Sequence, residues 1–151
     1  MAVQRLLAHR YPLLLVDRID VLEPGARVVG YKRVTGGEWF ALGARSAEYG
    51  AWSGAPSLAM PPLLIVEALA QTSGALMLGL LDQVGEGALA YFMGFDAVRF
   101  RAPAVPGAEL RMQVSLAQFR RGICRTRAVA TLDDGQLAVS ATLTTVLRPA
   151  R

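Results

Sequence analysis

The distribution of apolar and polar positions divides the chain into strand-like segments around one long apolar segment. Residues 13–22 begin as a continuous apolar run and then mix in charge, and residues 27–35 have the pattern of a return strand. Between them, Glu23-Pro24-Gly25-Ala26 places Pro and then Gly at the two central positions, which is typical of a type II turn. The pattern therefore predicts a β-hairpin near the start of the chain.

The longest apolar segment, PPLLIVEALAQTSGALMLGLL at residues 61–81, predicts a helix. Proline is favoured in the first turn of a helix, where the N–H groups have no intrahelical partner. The segment is apolar nearly all round, so we expect burial on several sides. Its length also fits a membrane span, but Glu67 and Gln71 make a buried core helix the better interpretation.

The rest of the chain alternates in the manner of antiparallel strands. The predicted strands cover residues 88–100 with a bend near Gly94, 109–119, 122–132 and 137–147, and Asp134-Gly135 predicts the last tight turn. One hairpin, one helix and a run of strands indicate an α+β fold in a single domain, residues 1–151, with the sheet wrapped around the helix. The connection at 36–57 is rich in Gly, Ala and Ser, is expected to hold a short helix around 44–49, and is long enough to be functional or mobile.

Composition narrows the possible functions. The net charge is +4, and 15 of the 16 basic residues are scattered arginines, so no basic run predicts nucleic-acid binding. Cys124 is the single cysteine, which allows neither an internal disulfide nor a Cys/His metal cluster, and its context is that of a small core residue. The first twenty residues lack the pattern of a signal peptide. We therefore expect a cytoplasmic protein without a metal site, a nucleic-acid partner or a membrane anchor.

Three blocks of the sequence closely resemble the β-hydroxyacyl-acyl carrier protein dehydratases of fatty-acid synthesis, a family with the hot-dog fold. The blocks are HRYPLLLVDRIDVLEPGARV (9–28), MPPLLIVEALAQTSG (60–74) and YFMGFDAVRFRAPAVPGAEL (91–110). Their order and spacing match the family except in the 36–57 connection. The resemblance implies an antiparallel sheet wrapped around the 61–81 helix. It also implies a homodimer or a larger set of dimers, with active sites at the interface between two subunits.

The resemblance further implies a substrate and a site. The substrates are acyl thioesters on a phosphopantetheine arm, carried by acyl carrier protein or coenzyme A, and the reaction removes water from a 3-hydroxyacyl thioester without a cofactor. In the family, a histidine acts as base, a helix carboxylate comes from the other subunit, and a backbone N–H at the helix start polarises the thioester carbonyl. Glu67, in VEALAQ, matches the helix carboxylate, and Gly94 and Phe95 match the strand that lines the acyl tunnel.

The chain departs from the family at two catalytic positions. The histidine of the family's His-Phe-Pro-Gly motif falls near Ser53, or at Ala44 in a second alignment, and the chain has no histidine after His9. The glycine of the family's Met-Pro-Gly is Pro62, which has no N–H to donate. Loss of a general base costs on the order of 100–10,000-fold in rate, and loss of an oxyanion donor roughly 100–1000-fold. We expect the chain to be impaired or inactive as a dehydratase by itself.

Three functional hypotheses remain open. The chain is a binding or structural subunit, in a heterodimer with a catalytic homologue; or it is a thioesterase; or it is a dehydratase with relocated groups. In the last two, Glu67 is the catalytic residue, and the altered connection offers Arg45, Glu48, Tyr49 and Ser53 as new groups. In the hypothesis of a binding or structural subunit, Glu67 is an inherited carboxylate with no catalytic role.

The hypotheses assign different roles to the residues around Glu67. For a thioesterase, the free N–H groups of Leu63 and Leu64 at the helix start are the predicted oxyanion donors. Gln71, one turn after Glu67, is expected to orient or satisfy the carboxylate and to contact the bound substrate. His9 lies in a part of the family pattern outside the catalytic site, and we interpret it as a structural histidine.

Overall fold

In the part of the chain that the structure describes, six strands form one antiparallel sheet that wraps around one long helix. The computed structural model describes residues 3–43 and 58–149. In chain order the elements are α1 (Val3–Leu6), β1 (Arg18–Glu23), β2 (Arg27–Arg33), α2 (Trp39–Gly43), α3 (Pro62–Val84), β3 (Leu89–Phe100), β4 (Glu109–Arg120), β5 (Ile123–Thr131) and β6 (Leu137–Arg148). The strand order is β1-β2-β4-β5-β6-β3, so β1 and β3 are the edge strands. The predicted α+β architecture is confirmed.

The first hairpin forms where the sequence predicts it, but its first strand is shorter. The Ala26 N–H donates to the Glu23 carbonyl at 2.9 Å, and Gly25 has a φ of +69°, which glycine adopts without strain. Strand β1 begins at Arg18, so the prediction that it starts at residue 13 is wrong. The reason lies in the helix: the Gln71 side chain hydrogen-bonds the Leu13 carbonyl and the Leu15 N–H, and this replaces strand pairing there.

Helix α3 forms the centre of the domain. It begins with Pro62 in its first turn, as predicted, and runs three residues past the predicted end at 81. Its length and hydropathy would suit a membrane span, but most of it is buried inside this domain, as in the core helix of a folded protein. The sheet supplies the other half of the core, and every second residue of β5 is buried against the helix layer, namely Cys124, Thr126, Ala128 and Ala130. The interpretation of Cys124 as a core residue is confirmed.

The C-terminal strands agree with the predicted ranges to within one residue at each end. The pairing of β3 with β6 shifts register between Phe92 and Gly94, where the sequence predicts a bend. The predicted helix at 44–49 lies outside the described residues, and so do Ala44, Arg45, Glu48, Tyr49 and Ser53.

Candidate active site around Glu67

Glu67 lies on the least-buried face of α3. Residues spaced three or four apart share one face of a helix, and the residues of this face are Leu63, Glu67, Ala70, Gly74 and Leu78. The Glu67 side chain is 42% exposed, and Leu63 is 65% exposed. The expected burial on several sides is present on the other faces of the helix, and this face is the exception, because the chain's own sheet covers only part of the helix circumference.

Gln71 fixes the position of the Glu67 carboxylate. Its Nε2 donates to Glu67 Oε1 at 2.9 Å and to the Leu13 carbonyl at 2.6 Å, and its Oε1 accepts from the Leu15 N–H at 2.9 Å. Gln71 is buried, and both of its amide hydrogens are used in these bonds. The predicted orientation of Glu67 by Gln71 is therefore present in the structure. A direct contact between Gln71 and a substrate stays a prediction.

The same glutamine holds the segment between α1 and β1 against the helix. Two further side chains fasten this segment. Arg10 donates to the carbonyls of Leu7 at 2.8 Å and Gln4 at 3.1 Å, and Trp39 Nε1 donates to the Pro12 carbonyl at 2.9 Å. Trp39 is thus a packing residue of this segment. The backbone on either side of His9 is bonded at several points, so the position of His9 relative to α3 is well defined.

His9 lies beside Glu67. The distance from His9 Nε2 to Glu67 Oε1 is 3.9 Å, and the side chain of His9 is 42% exposed. This distance is too long for a hydrogen bond, and within residues 3–43 and 58–149 the imidazole has no hydrogen-bond partner. The structure therefore brings the single histidine of the chain to the carboxylate that the sequence singles out. Sequence reasoning missed this contact, which joins positions 58 residues apart and leaves no periodic signal.

The start of α3 offers one backbone donor where the sequence predicts two. The Leu64 N–H donates to the Pro61 carbonyl at 2.8 Å, so the prediction that it is free is wrong. This bond closes a tight turn from Pro61 to Leu64, which precedes the regular hydrogen bonds of the helix. The Leu63 N–H has no acceptor within the described ranges. Leu63 lies one turn before Glu67 on the same face, and it is the remaining candidate for polarising a carbonyl.

Gly94 and Phe95 lie on the edge strand β3. Phe95 is half-buried against the core, and its ring centroid is 4.5 Å from that of Phe92. Within the described part of the chain, no hydrogen bond or ring contact joins either residue to the cluster of Glu67, Gln71 and His9. A role of Gly94 and Phe95 in lining an acyl tunnel stays a prediction.

Two surface cavities lie away from this cluster. One, of about 290 Å³, is lined by residues of the β4–β5 hairpin, among them Arg120, Arg121 and Arg125. The other, of about 330 Å³, lies between α1 and the segment before β1 and is lined by Val3, Gln4, Leu14, Val16 and Asp17. Neither of these two cavities includes Glu67. No group of three or more metal-ligating side chains is found among the described residues.

The arrangement combines groups suited to proton transfer. An imidazole and a carboxylate face each other across 3.9 Å, and the carboxylate is held by a buried amide. Imidazole and carboxylate are the commonest general bases and acids in enzymes. Because both groups are half-exposed at the surface, a ligand could reach them without displacing the core.

Comparison with known proteins places this geometry in a family. Residues 7–142 match the model of the FabA-like domain. The chain is 45% identical over 135 residues to the 3-hydroxyacyl-[acyl-carrier-protein] dehydratase FabZ of Roseiflexus castenholzii, covering 89% of this chain and 86% of that protein. It is 42% identical over 146 residues to FabZ of Exiguobacterium sibiricum, covering 97% and 96%.

Solved structures show the same fold at lower sequence identity. The dehydratase heterocomplex ApeI:P from Xenorhabdus doucetiae matches with a TM-score of 0.71 and 19% identity over 99% of this chain and 91% of that one. A hypothetical thioesterase with coenzyme A from Streptococcus pneumoniae matches with a TM-score of 0.64 and 14% identity over 89% and 87%. The predicted hot-dog fold is confirmed, and the chain belongs to the FabA-like family, which includes the 3-hydroxyacyl-[acyl-carrier-protein] dehydratases FabZ.

Proposed function

We propose that this protein binds 3-hydroxyacyl thioesters at the Glu67 face of α3 and dehydrates them at a reduced rate. The observation that carries the proposal is the position of Glu67. The family carboxylate is retained, points to an accessible face and is held by Gln71 at 2.9 Å. The FabZ relatives act on 3-hydroxyacyl groups carried by acyl carrier protein, and this chain is similar to them over nearly its whole length.

The reduced rate is expected because the family histidine is absent from the 36–57 connection and because the start of α3 has lost a backbone donor. Pro62 removes one backbone donor, and the Leu64 N–H is already bonded to Pro61, which leaves the Leu63 N–H to polarise the thioester carbonyl. Removal of one such donor typically costs roughly 100–1000-fold in rate. We therefore expect turnover well below that of a relative that retains the His-Phe-Pro-Gly motif.

The test is turnover of 3-hydroxybutyryl pantetheine thioester, which carries the arm shared by acyl carrier protein and coenzyme A. The assay follows enoyl formation and free thiol release together, with Glu67→Gln measured beside the unchanged protein. Glu86→Gln is the matched control, since Glu86 is an exposed carboxylate outside the Glu67 face. We expect slow enoyl formation that Glu67→Gln abolishes and Glu86→Gln leaves intact. Thiol release without enoyl formation would identify a thioesterase instead, and no product would remove the proposal for the isolated chain.

A second candidate is a subunit that pairs with a histidine-containing homologue. The exposed face around Glu67 favours it, because this face is open in the single chain and would be completed by a partner. One solved protein of the same fold is described as a dehydratase heterocomplex. Restoration of a high rate by a co-purified FabZ relative, lost again on Glu67→Gln, would support this role.

The same open surface supports a homodimer. Strand β3 is an edge strand, and three neighbouring large side chains on it are exposed: Tyr91 (52%), Phe92 (47%) and Met93 (65%). Unpaired edges with exposed apolar residues are sites of strand pairing between chains. We infer that two copies join through β3 into a continuous sheet. The carrier of the acyl group, a possible larger assembly and the cytoplasmic location stay predictions.

A further inference from the structure

We propose that His9 is the general base of this protein and that it works with Glu67 of the same chain. The inference rests on the proposed function and names a second residue of its site. The resemblance places the family histidine in the 36–57 connection, where this chain has none, and the only imidazole of the chain is found beside Glu67.

Three features of the geometry carry the inference. First, His9 Nε2 is 3.9 Å from Glu67 Oε1, so a small movement of either side chain would bring the two atoms to hydrogen-bond distance for proton transfer. Second, the imidazole has no hydrogen-bond partner within the described residues, so its nitrogen is available to accept a proton. Third, Gln71 holds Glu67 through Oε1 and leaves the other carboxylate oxygen without a hydrogen bond in the described part of the chain.

His9 is accessible to a ligand, and the backbone on either side of it is held in place. Its side chain is 42% exposed, as is that of Glu67, so a thioester bound on the surface would touch both. Arg10 and Trp39 fasten the flanking backbone by bonds to Leu7, Gln4 and Pro12. A base whose backbone is held in place, and whose ring has no partner among the described residues, is available to take a proton from a bound thioester.

In the proposed reaction, His9 and Glu67 together carry both proton transfers. His9 takes the proton from C2 of the 3-hydroxyacyl thioester, and the electrons of that C–H bond form the C2–C3 double bond. The C3–O bond breaks, and the leaving hydroxyl takes a proton from the carboxylic acid of Glu67 and departs as water. The products are imidazolium and carboxylate, and one proton passed from His9 to Glu67 restores both groups.

The first experiment separates a base from a structural histidine. In the thioester assay described above, we expect His9→Gly to lower kcat by about 100-fold or more, the usual scale for a general base, with KM little changed. Free imidazole added to His9→Gly should restore part of the rate, because the site is open to solvent. The matched control is Glu67→Gln, which imidazole should not rescue. His9→Gly and His9→Gln should both keep the unfolding midpoint of the unchanged protein, which shows that both variants fold.

The outcomes distinguish this inference from the proposed function. If Glu67→Gln abolishes turnover while His9→Gly and His9→Gln keep it, the proposed function stands and the role of His9 is overturned. A fall in rate on His9→Gly without rescue by imidazole, together with a lowered unfolding midpoint, also overturns it, since that is the behaviour of a packing residue. If the unchanged protein forms no enoyl product, both proposals fall.

A second experiment tests whether the two groups act within one chain. His9→Gln and Glu67→Gln chains are co-expressed with different tags and purified through both. If the pair lies in one chain, a mixed dimer contains no intact pair and stays inactive. If His9 of one subunit acts with Glu67 of the other, one of two sites is intact and about half the activity returns, which would overturn the assignment to a single chain.

Discussion

Gln71 shows how one residue connects the fold to the site. Its amide accepts from the Leu15 N–H and donates to the Leu13 carbonyl, and with its remaining N–H it holds Glu67. A buried backbone group without a partner costs about 1–3 kcal/mol, so the segment before β1 depends on this side chain. The same bonds fix the distance between that segment and α3, and thereby bring His9 to Glu67.

Cys124 belongs to a reactive residue type, but the fold buries it and keeps it from reacting. Its side chain is fully buried on β5, and burial raises the pKa of the thiol from 9.0 to about 11. Since the thiolate is the nucleophile, a neutral thiol without solvent contact reacts slowly. We predict that iodoacetamide at pH 9 leaves Cys124 of the folded protein unmodified, and that the same reagent labels it quickly in denaturant.

The control for this labelling is a thiol one residue away on the exposed side of the same strand. Ile123 is 48% exposed, and Ile123→Cys combined with Cys124→Ala presents such a thiol to solvent. Mass spectrometry should show rapid labelling of this variant and slow labelling of the unchanged protein. Equal rates would mean that β5 opens on the time scale of the reaction, which contradicts a closed core at Cys124.

At Gly79, helix α3 packs closely against the turn of the first hairpin. A Cβ added at Gly79 would lie 2.8 Å from Pro24 Cα and 3.0 Å from Gly25 N, both backbone atoms of the β1–β2 turn. Replacing glycine by alanine in a helix interior ordinarily stabilises by about 0.8–1.0 kcal/mol. Here we predict that Gly79→Ala destabilises, by about 1–3 kcal/mol as for other overpacked sites, because turn and helix must separate.

Gly74 is the matched control on the same helix. A Cβ there would meet only Leu7 Cδ2, at the ordinary contact distance of 3.6 Å. Gly74→Ala should therefore be neutral or stabilising by up to about 1 kcal/mol. Urea unfolding of the two variants measures the difference directly. If both variants gain stability equally, the turn is free to move and the close approach does not restrict position 79.

The elements could be predicted from the sequence because their signals are local. Alternating apolar residues, the Pro24-Gly25 turn and proline at the start of α3 fixed most boundaries to within a few residues. The start of β1 and the proximity of His9 to Glu67 could not be predicted in this way. Both depend on contacts between the segment before β1 and α3, more than 50 residues apart, and neither contact leaves a period in the sequence.

At the scale of the whole molecule, two regions of the described residues expose large apolar side chains next to a functional or unpaired element: the Glu67 face of α3 and the outer edge of β3. The chain's sheet leaves Leu63 and Leu78 exposed on the helix, and Tyr91 and Met93 exposed on the strand. Exposed apolar residues in a contiguous group mark surfaces that bind other molecules. In one assembly, a second copy of the chain would cover the exposed residues of β3, and a bound thioester would cover those of the Glu67 face.

The homodimer predicts a specific effect of charge on the β3 edge. Met93 is 65% exposed on that strand, and Met93→Lys would place two like charges where the copies meet. We expect the dimer to weaken by about tenfold or more, equivalent to about 1.4 kcal/mol, which sedimentation over a concentration series would measure. The matched control is Val129→Lys on β5, 37% exposed and separated from the edge by β6, which should leave the dimer unchanged. A dimer that survives Met93→Lys and dissociates with Val129→Lys would place the interface on the outer face of the sheet, and the β3 assignment would be wrong.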